Sequence, residues 1–426
     1  LYKNIMDRYV KMHEQKIASL FDDVYIEKYR ILRAAHLQKL FLVEFAYIPV
    51  EKRLERIKKV IQTEVKRKTA AVLNTLNAEY EPSIGRALDG IRDAEKRRRL
   101  VTKYIDERDE RIPKIKQQVK STATAYMRKF EKVKIKPMYR ELLTNRLLLS
   151  ELAAEWSFDE IEQFLAAHQK ESWALEDLAA LYYLHARIKG IPDKWKMRVV
   201  FIDEVQDYSL FQLAALKAGL ETDMFTMVGD LAQGIHSYRS LTEWDSVLEL
   251  FPRATYATLQ KSYRTTIEIM EVANKILAKM DEDLPLVEPV VRHGKEPTFI
   301  RCEELDAAII SKTYETIKRN GHRSIALIAK TTAEAKKIVS HLRKIGMSVS
   351  LLDELATPDQ SKLLVVPSHL AKGLEFDAVI ITAFDTPFYD HPIDRKLLYV
   401  ALTRAMHELY LIGPNEETFL LSAQKA

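Results

Sequence analysis

The sequence predicts an α/β protein in which parallel strands lie between two layers of helices, preceded by an elongated, all-helical, basic region. Three observations predict this. Residues 1 to about 140 hold two glycines, Gly85 and Gly90, and four prolines, Pro49, Pro82, Pro113 and Pro137, set among long charged stretches. Beyond them, short apolar runs alternate with helical patterns, as in sheets buried on both faces. Residues 281–297, with Pro285, Pro289, Gly294 and Pro297, read as a join between two such units. The expected division is therefore 1–140, 141–280 and 281–426.

In the first region Leu54, Ile57, Val60, Ile61 and Val65 recur at three- and four-residue spacing, which is the stripe of an amphipathic helix. Basic residues cluster over 52–68, 96–99 and 114–136. Acidic residues interleave with them, as on a solvated helix face; a surface facing a polyanion is the other reading. Segments 150–154, 158–167 and 174–189 also read as helices. The first buried strand is expected at Val199-Val200-Phe201-Ile202. Further strands are expected at 224–228, 325–329, 362–366, 378–382 and 409–412.

Composition narrows the class. Of 426 residues 47% are apolar and 30% charged, with a net charge of +5. No run approaches the ~18 apolar residues of a membrane span, so no membrane partner is expected. The single cysteine, Cys302, excludes an internal disulfide and fits a reducing cytoplasm. The chain starts at Leu1 with no basic-then-apolar leader, and the expectation is a piece of a longer cytoplasmic protein.

The residues with chemistry begin where the first strand ends, at Asp203-Glu204-Val205-Gln206-Asp207. Ligands of open α/β sheets bind at the carboxyl ends of the strands. There Asp203 is placed to hold the water shell of Mg²⁺, and Glu204 to deprotonate an attacking water. An Asp-Glu pair after a strand is often just a helix cap, so the reading depends on the motifs downstream of it. A second strand ends at Gly229-Asp230, with Gln233, His236, Tyr238 and Arg239 just beyond. Then come Gln260-Lys261-Ser262-Tyr263-Arg264, Ser368-His369-Leu370-Ala371-Lys372-Gly373-Leu374-Glu375, and Tyr399-Val400-Ala401-Leu402-Thr403-Arg404.

In this order, over about residues 196–413, the chain resembles superfamily-1 helicases of the UvrD/Rep type. The resemblance implies two RecA-like lobes, the first incomplete here, with ATP and Mg²⁺ as cofactors. It assigns the Mg²⁺ carboxylate to Asp203, the catalytic base to Glu204 and γ-phosphate sensing to Gln233. Tyr263 would stack on adenine, Arg264 would reach the γ-phosphate, and Glu375 beside Gly373 would hold the ribose. Arg404 would be the second-lobe arginine of phosphoryl transfer. DNA or RNA would meet His236, Tyr238, Arg239 and His369.

The pattern departs from the family in three ways. No G-x-x-x-x-G-K-[ST] loop is present: Gly85 and Gly90 are followed by Ile91-Arg92, and Gly229 and Gly234 by Ile235-His236. The expectation is that this loop lies upstream of Leu1 and that the present chain alone binds ATP weakly. Pro367 stands where the family has a strand-gripping threonine, and Gly234 and His236 alter the third motif. Only about 100 residues separate Arg264 from Lys372, too few for the large inserted domain of UvrD/Rep enzymes, while about 140 residues of basic helix come first. Together with Gly-Asp-Leu-Ala-Gln-Gly-Ile-His (229–236) and Pro-Ser-His-Leu-Ala-Lys-Gly-Leu-Glu-Phe-Asp (367–377), this is similar to HelD. That family implies RNA polymerase core as partner and a helical arm reaching into its DNA channel. A conventional 3′-to-5′ DNA helicase and a non-catalytic binding module remain the alternatives.

Overall fold

The structure, a computed structural model, describes residues 2–168, 172–235, 241–280, 284–290, 292–353 and 362–421. It divides into two compact units: Leu1–Val199 with Phe211–Met224, and Val200–Leu210 with Phe225–Ala426.

The first unit is helical. Helix α1 (Tyr2–Ala18) leads into a short antiparallel hairpin of β1 (Val24–Ile26) and β2 (Tyr29–Leu32), then α2 (Ala34–Lys39) and a π-turn at Leu40–Glu44. Helices α3 (Val50–Gly90) and α4 (Ala94–Met127) form a long antiparallel pair. At 1.5 Å rise per residue, the 41 residues of α3 extend about 60 Å. The reversal is sharp because Asp93 caps α4, accepting the Glu95 and Lys96 amides at 3.0 Å.

The expected apolar stripe is the seam of this pair. Leu54, Ile57, Ile61, Val65, Val72 and Leu76 are buried, and beyond Leu76 only Ala87 is buried in α3. The helices run through Pro82 and Pro113, whereas Pro49 caps α3 and Pro137 lies in the first turn of α5 (Ile135–Thr144), where a missing amide costs nothing. Shorter helices complete the unit: α6 (Arg146–Leu152), α7 (Phe158–Ala167), α8 (Leu175–Ile188) and most of α9 (Leu210–Leu220). Ser157 and Glu160 form a capping box at the start of α7.

The second unit contains the α/β part. Strands β3 (Val200–Ile202) and β4 (Phe225–Met227) pair in parallel, and β5 (Lys261–Ser262) pairs with β6 (Glu288–Pro289). The main sheet has six parallel strands: β7 (Thr298–Arg301), β8 (Ile325–Ala329), β9 (Val349–Leu351), β10 (Leu363–Pro367), β11 (Phe376–Thr382) and β12 (Ala405–Gly413). Their order is β7-β12-β11-β8-β10-β9. A parallel sheet covered by helices on both faces is what the sequence predicted.

Alternation explains its two cores. Ile328, Val379, Ile381 and Leu411 pack against α11 (Ile267–Leu277) and α14 (Pro392–Leu402), while Phe251, just after α10 (Asp245–Leu250), packs on Phe225 of β4. Leu327, Val365, Ile380 and Ile412 pack on the opposite face against α12 (Ala307–Arg319) and α13 (Thr332–Lys344). Both faces are apolar because both are covered.

One expectation fails. The run 199–202 reads as a buried strand, yet Phe201 is 78% exposed and Val200 only partly covered. In the β3–β4 pair Phe201 lies on the same face as Thr226 and Val228, both exposed. An apolar run buries itself only where a second layer covers it, and among the described residues none covers the two-stranded sheet on that side.

Candidate functional site

The site is assembled at the carboxyl ends of β3 and β4 and along the loops that precede β11 and β12. After β3 the chain turns abruptly: Glu204 has φ +50°, a left-handed backbone that is uncommon for a residue with a side chain. Its amide donates to Asp203 Oδ1 at 2.8 Å. Both carboxylates are exposed. The next turn, Val205–Asp207, is tied to β4 by the Val205 amide donating to Val228 O at 3.0 Å.

Gln206 is fully buried beneath this turn. Its Nε2 donates to Glu204 Oε2, and its Oε1 accepts the Asp230 amide at 3.1 Å. The fit depends on Gly229, where an added Cβ would lie 2.3 Å from Gln206 Oε1. Asp230 then takes the Ala232 amide at 3.0 Å and Gln233 Nε2 at 2.8 Å.

Gln233 Oε1 accepts from Arg404 Nη2 at 2.9 Å. Arg404, 2% exposed, is the largest buried charged side chain of this unit. It also donates from Nε to Val400 O at 3.0 Å and from Nη1 to Leu374 O at 3.2 Å. These acceptors are what allow a guanidinium to sit inside the protein. Burial, and after it the neighbouring Arg264 charge, pull its pKa below the usual arginine value.

Arg264 forms a 2.7 Å ion pair with Glu375 across the loops that precede α11 and β11. Tyr263 is 71% exposed, its ring free of the core. Gly373 has φ +78°, which reserves that position for glycine. Lys372 pairs with Asp207 at 2.7 Å and stands 3.4 Å from Glu204, its side chain only 11% exposed. His369 lies exposed in the 3₁₀ turn after β10.

The fold thus brings Asp203, Glu204, Gln233, Arg264, Gly373, Glu375 and Arg404 into one connected region, with Tyr263 beside it. His369 is on the turn leading into that region. His236, Tyr238 and Arg239 lie outside the described residues. Gln206, Asp207, Gly229, Asp230 and Lys372 join the same region; sequence reasoning missed them as agents, although all five lie within the motifs. A buried amide that ties two loops leaves no periodicity to detect.

The donor set suits a hydrated Mg²⁺, which keeps most of its waters and needs only one or two carboxylates besides substrate phosphates. Asp203 supplies such a carboxylate. Among the described residues no cluster of three His, Cys, Asp or Glu side chains forms a dedicated metal cage.

Residues 362–412 match the family model of the UvrD-like helicase C-terminal domain. A protein of Mycoplasma pneumoniae described as a probable DNA helicase is 28% identical over 251 residues, covering 52% of this chain and 44% of that protein. A probable DNA helicase II homolog of Mycoplasma capricolum is 29% identical over 168 residues, covering 36% of this chain and 22% of that one. Among solved structures, the C-terminal domain of a possible DNA helicase from a Lactobacillus is 30% identical. That match covers 36% of this chain and 87% of the other, with a TM-score of 0.30. The chain spans less than half the length of the two sequence relatives. The sequence similarities support a relationship to superfamily-1 DNA helicases. No described helix is long and apolar enough to cross a membrane.

Proposed function

We propose that this chain is part of an ATP-hydrolysing superfamily-1 motor that binds RNA polymerase core and helps release it from nucleic acid. What carries the polymerase reading is the placement of the extra mass. The long α3–α4 pair comes before the Asp203-Glu204 strand, while the segment from Arg264 to Lys372 is used up by α11 to β10 of the sheet. A UvrD/Rep enzyme carries its large insertion in the second place, not the first. In this reading residues 1–140 are the arm, 141–280 the remainder of the first lobe and 281–426 the second lobe. The protein works in the bacterial cytoplasm.

Bound ATP with Mg²⁺ supplies the phosphoanhydride and part of the charge neutralisation. Asp203 holds the ion's water shell, and Glu204 takes the proton of the attacking water. Arg264 and Arg404 stabilise charge on the transferred phosphoryl group, with Gln233 reporting on the γ-phosphate. Tyr263 packs on adenine; Gly373 and Glu375 meet the ribose. His236, Tyr238, Arg239 and His369 face DNA or RNA. No G-x-x-x-x-G-K-[ST] loop occurs within these 426 residues, and the Phe201–Val228 face is exposed. The ion pair of Arg264 with Glu375 and the Gln233–Arg404 bond are then the contacts that nucleotide must exchange for its own.

A second reading, a 3′-to-5′ DNA helicase or translocase, is favoured by the descriptions of the sequence relatives. One experiment separates the two. ATP turnover of the full-length protein, with Glu204→Gln as control, is measured with core RNA polymerase and with single-stranded DNA. Co-elution with polymerase and weak DNA stimulation support the first reading. Strong DNA stimulation without polymerase binding overturns it, and absence of turnover with retained polymerase binding would make the chain a non-catalytic module.

A further inference from the structure

We infer that Gln206 is a positioning residue, the link through which the carboxylate of Glu204 is held in register with Gln233 and Arg404. The inference rests on the ATPase reading above and goes beyond it.

The orientation of the Gln206 amide is dictated by its neighbours. The Asp230 backbone N–H can only donate, so the group facing it at 3.1 Å is Oε1. The Nε2 end must then face Glu204 Oε2, an acceptor. With the side chain fully buried, neither end can exchange its partner for water. Gly229 shows how tightly the seat is shaped, since any Cβ there meets Gln206 Oε1 at 2.3 Å.

From Gln206 the connection continues without a gap. The Asp230 residue whose amide Gln206 accepts uses its carboxylate to hold Gln233 Nε2 at 2.8 Å, and Gln233 Oε1 receives Arg404 Nη2 at 2.9 Å. An unbroken chain of hydrogen bonds thus joins the proposed base to the proposed arginine, and each bond has one permitted direction. Glu204 itself sits on a left-handed backbone, a conformation that persists only where its surroundings hold it. Lys372, 3.4 Å away, attracts the same carboxylate from the side of Asp207. An ion pair is less directional than the amide bond, so Gln206 sets the angle at which the carboxylate points. A shift of Gln233 or Arg404 on engaging a phosphate would reach Glu204 through this chain of bonds.

The test uses the full-length protein and compares Gln206→Met, Gln233→Ala and the double variant. Methionine keeps the volume and removes both bonds. The expected result is a fall in kcat of about tenfold or more with KM for ATP nearly unchanged. The double variant should then be close to the worse single variant, because both substitutions break one connection. Unchanged kcat in Gln206→Met, or losses that multiply in the double variant, would overturn the inference. If Gln206→Met does not fold, Gln206→Asn decides: it is one methylene too short to hold Glu204 and the Asp230 amide together, and a normal kcat there is equally fatal. Glu204→Gln run in parallel separates the two levels. Retained turnover in that variant removes the ATPase reading itself, whereas loss there with normal Gln206 variants removes only the link.

Discussion

Of the three parallel sheets in the second unit, two are built from similar apolar runs, and they differ in how much of each run is buried. In the six-stranded sheet, β8 and β10 are buried at every position. In the β3–β4 pair, Phe201 is 78% and Val228 56% exposed. The pair with the less complete packing nevertheless carries Asp203, Glu204, Gln206 and Asp230. Its loops are fixed by hydrogen bonds as well as by the buried Val205, Leu231 and Ala232: Val205 to Val228, Gln206 to Asp230, Gln233 to Asp230 and to Arg404. The comparison teaches that the geometry of these loops and the burial of the strands beneath them are separable.

The largest effect expected is catalytic. In the full-length protein Arg404→Ala should lower turnover by about 10³-fold or more, without loss of the six-stranded sheet in circular dichroism. Near-normal turnover would remove Arg404 from the chemistry and leave it as a buried brace for Val400, Leu374 and Gln233.

Next in size is the packing contrast. Ile328→Ala should cost about 2–5 kcal/mol in urea unfolding, because Ile328 is fully buried and a cavity remains. Phe201→Ser should cost less than about 0.5 kcal/mol in the present chain, as exposed surface changes usually do. A cost as large as that of Ile328→Ala would mean that Phe201 is covered.

A smaller effect is expected at Gly229. Gly229→Ala forces a Cβ against Gln206 Oε1 and Val205, and overpacking of this kind costs about 1–3 kcal/mol. If the melting temperature is unchanged, the seat of Gln206 is looser than the geometry says.

The smallest concerns pH. The Glu268 carboxyl is held down to about 2, first by His293 and then by backbone amides including Gly294. A depressed carboxyl contributes stability above its unfolded pKa near 4.5, and that contribution is lost as pH falls through its folded value. The stability gap between the protein and Glu268→Gln should therefore shrink between about pH 4.5 and about pH 2. A gap that stays constant across that window would show that the carboxylate is not engaged.

The amino-acid sequence by itself determined the element types and much of their extent. Strand β8 coincides with the apolar run 325–329, helix α7 with the segment 158–167, and the stripe from Leu54 to Val65 became a buried seam. Periodicity reports burial of local elements because each face is written in adjacent residues. The strand end brought forward Asp203 and Glu204, whereas Gln233, Arg264 and Arg404 came from the resemblance to superfamily-1 helicases. Short edge strands such as β7 and β9 were not legible, being three or four residues long and only partly buried.

The tertiary structure decided the rest. It left Phe201 in solvent, because burial depends on a second layer that no single strand encodes. It seated Gln206 against Gly229 and joined it to Asp230, 24 residues away. It set Arg404 on Gln233, 171 residues away, and Lys372 on Asp207, 165 residues away. Hydrogen bonds between loops are chosen by where the strands beneath them place their ends, and that placement exists only once the sheets have formed.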